Sequence, residues 1–293
     1  MLLVQALING VLVGAVWGVL GLGKQIVLGV IHFVNFAHGH LVLVAMYLAF
    51  VLWSVTGADP FLLLPVVVVL MAGLGWVLDR LLVRPLVPLG ERSQMIATLA
   101  FALIIQSLAL IVFSPQPRSI QTWWADTAWQ VGGLFVNYGQ LMGLVVSMVA
   151  FAATWWVIRR TALGAMIRAT SQNREAAQYM GINIRRVYGI AFVLSVALAG
   201  VVGGVFIVSS PVDPTAAWGF LILMFVVPVL GGLGSIPGTM IAGIVVGVVQ
   251  VLSSTYLDIQ LQNALVFVLF LGFLVLRPQG ILGKATDQFR ISV

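Results

Sequence analysis

Long apolar stretches alternate with short polar connections along the whole sequence. Nine stretches of roughly twenty residues contain no charged side chain. A helix rises about 1.5 Å per residue, so about 20 apolar residues cross the hydrocarbon core of a bilayer. The pattern therefore predicts membrane helices at 6–23, 39–58, 61–78, 95–113, 134–158, 187–208, 218–233, 240–256 and 261–276.

The junction between the seventh and eighth stretches is rich in helix-breaking residues. Two prolines and four glycines lie within 228–238, and the last three stretches are short for complete spans. A straight helix is difficult to maintain through such a segment. We predict a broken or re-entrant pair here, and hence eight or nine membrane segments in one all-α, polytopic helical bundle covering residues 1–293.

Small residues recur at four-residue spacing in three of these stretches. The sets are 10/14/18, 200/204 and 243/247, and all seven residues are glycine. Glycines at this spacing allow the backbones of two membrane helices to approach closely. The pattern predicts tight helix packing at these positions.

Composition agrees with a membrane location. Apolar residues make up 61% of the 293 positions and charged residues only 8%, against about 45–50% and 25% in soluble domains. Such a chain has too few polar side chains to cover a water-facing surface. There is no cysteine, which excludes disulfides, thiolate metal sites and thiol nucleophiles.

The positive charges mark one side of the membrane. Twelve of the fourteen bases lie in the connections 80–92, 159–186 and 277–290, and acids occupy the alternate turns at 59, 126, 213 and 258. The positive-inside rule makes the basic connections cytoplasmic and predicts an outward amino terminus. The other four acids lie on the same side as these twelve bases, so the local charge on the basic side is 12 − 4 = +8. The charge is a sorting signal and gives no reason to expect nucleic acid as a partner.

Motifs for chemistry within this chain are missing or incomplete. Residues 18–24 spell G-x-x-x-x-G-K, but Gln25 replaces the Mg²⁺-binding Ser or Thr, and the context is an apolar segment. His38 and His40 form at most half of a metal site. The apolar stretches contain no Asp or Glu, which disfavours both an intramembrane enzyme and a proton-coupled carrier. We expect no catalytic residue, metal or cofactor in this chain.

A polar cluster at 35–40 interrupts the region between the first two stretches. Asn and His are costly in hydrocarbon unless they line a cavity or bond to broken backbone. On one interpretation Asn35 caps the following helix and His38 bonds a carbonyl. On the other, an interrupted helix points its end into a translocation path. The sequence leaves both open.

The largest basic connection, 159–186, contains a short predicted helix. Asn173 is a good N-cap, Glu175 suits the positive end of the helix dipole, and Gly181 can adopt the left-handed conformation that ends a helix. A helix of about two turns is unstable alone. We therefore expect it to pack against a partner, the alternative being a loop helix that rests on the membrane.

The outward connection 114–133 carries Trp123, Trp124 and Trp129. Tryptophan is enriched at membrane interfaces. We expect these rings to lie in the headgroup layer, or else to meet an external partner.

Four signatures in order resemble those of one family: the inner-membrane permeases of bacterial ATP-binding-cassette (ABC) importers for branched-chain amino acids, specifically the shorter of two paired permeases. The matching residues are 35–39 (N-F-A-H-G), 84–86 (R-P-L) with 96–99 (I-A-T-L), 175–177 (E-A-A) with Gly181, and 231–238 (G-G-L-G-S-I-P-G) with 276–280 (L-R-P-Q-G). The resemblance covers nearly the whole chain.

The resemblance implies a type II importer fold in the bacterial inner membrane and no enzymatic activity in this chain. The implied partners are two cytoplasmic ATP-binding subunits that hold ATP and Mg²⁺, a second permease and a periplasmic binding protein. The short cytoplasmic helix becomes a coupling helix, with the contact residues Asn173, Arg174, Glu175, Ala176, Ala177 and Gly181. The translocation pathway is expected at Asn35, His38, Gly39, Thr98, Gly232, Gly234 and Ser235.

Departures from the family pattern leave the cargo open. Residues 98–102 read T-L-A-F-A where such permeases often read T-L-G-x-S, and Pro228 interrupts a segment usually richer in alanine. Branched-chain amino acids are the expected solutes, and amides, urea, or aromatic and other carboxylic acids remain possible. The second permease can be a homologue or an identical copy. The alternative function is an ion-coupled secondary transporter of a small polar or aromatic carboxylic solute.

Overall fold

The computed structural model describes residues 1–283 apart from 123, 125, 126 and 132. Within this part of the chain, seven helices are long and apolar enough to cross a membrane, and two further apolar helices are shorter. The helices are α1 (Leu2–Ile31), α2 (His38–Thr56), α3 (Pro60–Leu78), α4 (Arg84–Leu86), α5 (Glu91–Phe113), α6 (Tyr138–Arg160), α7 (Ala162–Gln172), α8 (Arg174–Tyr179), α9 (Ile184–Ser209), α10 (Ala217–Gly231), α11 (Ile236–Tyr256) and α12 (Gln262–Leu276).

The two most central helices are α1 and α9. α9 packs against α1, α2, α3 and α6, and α1 packs along α11. The contact between α1 and α11 depends on glycine, as predicted. A β-carbon built on Gly10 would lie 2.6 Å from the α-carbon of Val248, and one on Gly14 would lie 2.6 Å from that of Ile244. The helices are antiparallel, because the partner number falls as the α1 number rises.

The acidic and basic connections lie at opposite ends of the bundle, as predicted for those the structure describes. At one end, Gln5 bonds the backbone of Phe135, and Trp124 bonds Asp59. The antiparallel packing of α1 and α11 brings Asp258 to this same end. The connections with most arginines lie at the other end. The amino terminus is therefore at the acidic end, which the positive-inside rule assigns to the outside. Asp126, Lys284 and Arg290 lie outside the described residues.

Two predicted segment boundaries are wrong. α1 does not end before Lys24: it continues to Ile31, and the lysine is inside the helix. The fifth membrane helix starts at Tyr138 rather than 134, because residues 128–137 form an antiparallel hairpin of β1 (Ala128–Val131) and β2 (Leu134–Asn137). Gly133, with φ of +83°, lies in its turn. Strand-favouring Trp, Val and Phe in alternation explain the hairpin.

The tryptophans of the outward connection do not behave alike. Trp124 is buried, stacks on Phe61, and donates from Nε1 to Asp59 Oδ2 at 2.8 Å. It belongs to the protein core instead of the headgroup layer, because a carboxylate and an aromatic ring are available within the fold. Trp129 is exposed, and Trp123 lies outside the described residues.

Candidate functional site

The first helix break lies between α1 and α2. Residues 33–36 are non-helical, and His32 ends α1 in the left-handed conformation with φ of +54°. Asn35 is buried, and its Oδ1 accepts from the Ala37 amide at 2.9 Å. Asn35 therefore stabilises the turn that leads into α2, although the N-cap position itself is Ala37.

The backbone of this break is held by three polar side chains from α1 and α5. Gln94 Oε1 accepts from the Val34 amide at 3.2 Å, and Thr98 Oγ1 accepts from the Phe36 amide at 3.1 Å. Lys24 Nζ donates to the Asn35 carbonyl at 2.6 Å. Non-helical backbone inside a membrane protein requires such partners, since lipid offers none.

Lys24 is completely buried, with 0% of its surface exposed. Its ammonium lies 4.4 Å from the centre of the Phe225 ring, a cation–π distance. The described residues provide no carboxylate within ion-pair distance. An ammonium in such a site costs several kcal/mol of desolvation that a carbonyl and a ring only partly offset. Charged groups that proteins retain inside a membrane are commonly functional.

The second break joins α10 to α11. Gly232 and Gly234 have φ of +95° and +89°, and Ser235 Oγ caps α11 by accepting from the Gly238 amide at 3.2 Å. Only glycine adopts such angles without strain. The predicted helix break between the seventh and eighth segments is therefore present, and α10 has only 15 residues. The eighth segment is longer than predicted, because α11 begins at Ile236 and its 21 residues are enough to cross a membrane.

Gln25 and the carboxyl-terminal segment both hold this second break. Gln25 Nε2 donates to the Gly232 carbonyl at 3.4 Å, and its Oε1 accepts from the Thr239 hydroxyl. After α12, residues 277–283 return to the break, where the Ile281 amide donates to the Leu230 carbonyl at 2.8 Å. The two parts of the last sequence signature, 231–238 and 276–280, thus meet in space.

Lys24 and Gln25 connect the two breaks. These neighbours on α1 bond the break at 33–36 and the break at Gly232, respectively. Sequence reasoning missed both, together with Gln94. The signal was present: Lys24 is the only charged residue before Asp59, in the centre of an otherwise apolar stretch.

The structure brings some of the predicted pathway residues together. Asn35 and Thr98 bond the same short segment, and His38 Nε2 lies 3.4 Å from where a Gly23 β-carbon would be. Gly39 serves packing: a β-carbon there would lie 2.8 Å from the Ala217 carbonyl oxygen on α10. Gly232 and Ser235 form the second break, whereas Gly234 is exposed at its surface.

The histidines do not assemble a metal site. His38 is buried, and its Nε2 has no hydrogen-bond partner among the described residues. His40 lies edge-on to Trp218, with ring centres 5.1 Å apart. In the described part of the chain, no three His, Cys, Asp or Glu side chains cluster as metal ligands would.

The short helix predicted in the basic connection 159–186 is present as α8, with six residues rather than two full turns. Asn173 Oδ1 accepts from the Ala176 amide at 2.9 Å, and Gly181 has φ of +83°. The helix is not isolated, since the unpredicted α7 precedes it directly. Ala177 is buried against the bundle, whereas Glu175 is exposed.

Two large apolar side chains are exposed at the end of α8 and in the turn that follows it. Tyr179 and Met180 are 89% and 83% exposed. Arg174 makes a cation–π contact with Tyr188 of α9, with its guanidinium 5.6 Å from the centre of the ring. Exposed aromatic and methionine side chains beside an arginine are typical of protein interfaces.

Comparison with known proteins gives a consistent result. Residues 6–276 match the family described as "Branched-chain amino acid transport system / permease component". The high-affinity branched-chain amino acid transport system permease proteins LivH of Escherichia coli and BraD of Pseudomonas aeruginosa are each 28% identical, over 96% of this chain and 95% of theirs. A probable branched-chain amino acid transport permease protein LivH of Methanocaldococcus jannaschii is 28% identical over 85% of this chain and 82% of its own. No solved structure is significantly similar.

Proposed function

Because this chain belongs to the family of permease components of branched-chain amino acid transport systems, we propose that it conducts branched-chain or related amino acids across the inner membrane of a bacterium. The multi-pass helical structure is that of a membrane permease. Two relatives that are similar to this chain over nearly their full length are named as branched-chain amino acid permeases, which supports this class of solute.

The proposed transporter contains more than this chain. We assign two ATP-binding subunits to the cytoplasmic end, with ATP and Mg²⁺ bound there, and a solute-binding protein to the outward end. A second permease, homologous or identical, completes the pathway.

The observation that carries the proposal is that the exposed helix α8 is followed in the chain by α9, the most buried of the long helices. α8 packs against α9, and α9 packs against α1, α2 and α3. A displacement of α8 by an ATP-binding subunit would therefore move α9 and, through it, α1. Since Lys24 and Gln25 of α1 bond both breaks, the breaks would shift together and open the pathway to alternate sides.

The test is to disconnect α8 from the ATP-binding subunits. Glu175→Lys, in the first turn of α8, is expected to abolish coupled uptake while the permease remains in the membrane. Glu91→Lys is the matched control, because Glu91 is also an exposed acid in the first turn of a helix, at the arginine-rich end of the membrane helix α5. Uptake of radiolabelled leucine and ATPase activity are measured in proteoliposomes containing all subunits. Normal coupling in Glu175→Lys would contradict the proposal.

Gly181→Pro tests the same contact of α8 with the ATP-binding subunits by changing the backbone that ends the helix. Proline cannot adopt the observed φ of +83° and removes the Gly181 amide that bonds the Gln178 carbonyl. We expect reduced uptake with ATPase activity no longer stimulated by the loaded binding protein. Leucine accumulation by the purified chain alone, driven by an ion gradient, would instead establish the ion-coupled alternative.

A further inference from the structure

A groove of about 480 Å³ lies between the end of α3 and the start of α9, at the arginine-rich end of the bundle. Gly189 allows the two helices to approach here, since a β-carbon on it would lie 2.8 Å from Asp79 Oδ2. Asp79 belongs to a π-helical turn, Asp79–Val83, that continues α3. The groove therefore lies beside the connection between the membrane bundle and the α8 region.

The mouth of the groove is basic. Arg84, Arg185 and Arg186 line it together with Asp79, which gives a net side-chain charge of 3 − 1 = +2. Asp79 is only 1% exposed and accepts from Arg84 Nε at 2.8 Å. The carboxylate thus fixes the guanidinium from behind, while Arg84 itself remains 45% exposed. A fixed arginine is well suited to bind a phosphate.

The other end of the groove is apolar and lies deeper in the membrane. Ile190 and Val193 follow Arg186 along one face of α9, and Trp76 of α3 stands opposite. From Arg185 to Val193 the helix rises about 12 Å. Trp76 is half exposed and stacks on the Arg80 guanidinium at 3.8 Å, an arrangement typical of the membrane–water interface.

The order of these groups matches a phospholipid of the cytoplasmic leaflet. We propose that the groove binds one anionic phospholipid, with its phosphodiester at the three arginines and an acyl chain along Ile190, Val193 and Trp76. Basic pockets between membrane helices on the cytoplasmic side suit lipid headgroups of this kind. A phosphate alone would leave the apolar half of the groove unused, and an acidic peptide would not enter the hydrocarbon. This site is independent of the transported solute.

Native mass spectrometry of the delipidated full-length chain tests the site, with phosphatidylglycerol and phosphatidylcholine added separately. We expect one phosphatidylglycerol to bind well above the background shown by phosphatidylcholine. Arg185→Gln/Arg186→Gln should weaken this binding about thirtyfold, if each arginine contributes as basic residues near anionic lipid do. Arg159→Gln/Arg160→Gln is the matched control. It removes the same charge at the same end of the bundle, where Arg159 also lies near a tryptophan ring, and it should leave the binding unchanged.

A second variant separates lipid from other anions. Val193→Trp fills the apolar half of the groove without altering any charge, and should weaken phosphatidylglycerol binding while leaving the arginines in place. Inorganic phosphate at millimolar concentration should not compete. Equal losses in both double variants, an unaffected Val193→Trp, or displacement by phosphate would each overturn the proposal. So would a loss of assembly with the ATP-binding subunits in Arg185→Gln/Arg186→Gln without any loss of lipid, because the arginines would then serve that partner.

Discussion

Lys24→Met is the sharpest test of the connection between the two breaks. Methionine has a similar length and is apolar, so it removes the bond to the Asn35 carbonyl without leaving a large void. That carbonyl then loses its charged donor, which costs about 1.5–3 kcal/mol. The same change removes an ammonium that is 0% exposed and lacks a carboxylate partner among the described residues, which recovers several kcal/mol of desolvation.

The two effects have opposite signs, and the second is at least as large. We therefore expect the thermal stability of Lys24→Met in detergent to be equal to or higher than that of the parent protein. The rate of transport should nevertheless fall, because the break at 33–36 is no longer bonded to Lys24 and does not move together with α1. If the lost bond favours one conformation by 1.5 kcal/mol or more, ATP-driven uptake decreases by about tenfold or more.

The assay is leucine uptake by the complete transporter in proteoliposomes, with the melting temperature of each variant measured in parallel. Gln5→Leu is the control on the same helix, since Gln5 bonds backbone at the outer end and touches neither break. Uptake by Lys24→Met at the level of the parent would refute the role of this lysine in coupling. A large fall in melting temperature would show that the lysine is simply required for folding.

Two further predictions concern stability. Thr98→Val keeps the shape of the side chain but leaves the Phe36 amide without its acceptor, so we expect the free energy of unfolding to fall by about 1–3 kcal/mol, whereas Thr98→Ser should remain near the parent; equal melting temperatures for the two variants would contradict this role of the hydroxyl. Gly14→Ala places a β-carbon 2.6 Å from the Ile244 α-carbon and should reduce the yield of folded protein. Gly29→Ala on the same helix meets no atom within 4 Å and should be neutral. The two yields are compared by size-exclusion chromatography of protein extracted from equal amounts of membrane.

Much of this architecture is readable from the sequence because lipid imposes a simple rule. Apolar length predicts the membrane helices, and the glycines and prolines at 228–238 predict the second break. The rule fails where a polar group is satisfied by distant residues. Lys24 resembled the end of a span, yet Asn35, eleven positions away, provides its acceptor. Gln94 and Thr98 bond the break across sixty and sixty-two residues, and no local sequence pattern indicates such a pairing.

The hairpin and α7 were missed for a different reason. Both lie in connections, where the argument from hydrocarbon thickness no longer applies. β1 and β2 alternate too briefly to stand out beside the apolar stretch that follows. Residues 161–172 contain a single arginine among short apolar and polar residues. This segment is too short and too polar for a membrane helix, and the Thr161 cap that begins α7 was not recognised.

The contact between residues 277–283 and the second break also determines the order in which the molecule can be completed. The Leu230 and Gly231 carbonyls accept from the amides of Ile281 and Leu282, which are synthesised about fifty residues later. At roughly 5–20 residues per second, translation leaves these carbonyls without their native partners for several seconds after α10 has been made. During this time the two carbonyls of the nascent chain must accept hydrogen bonds from water or from the insertion machinery. The second break is therefore finished last, after every membrane helix in the described part of the chain has been synthesised.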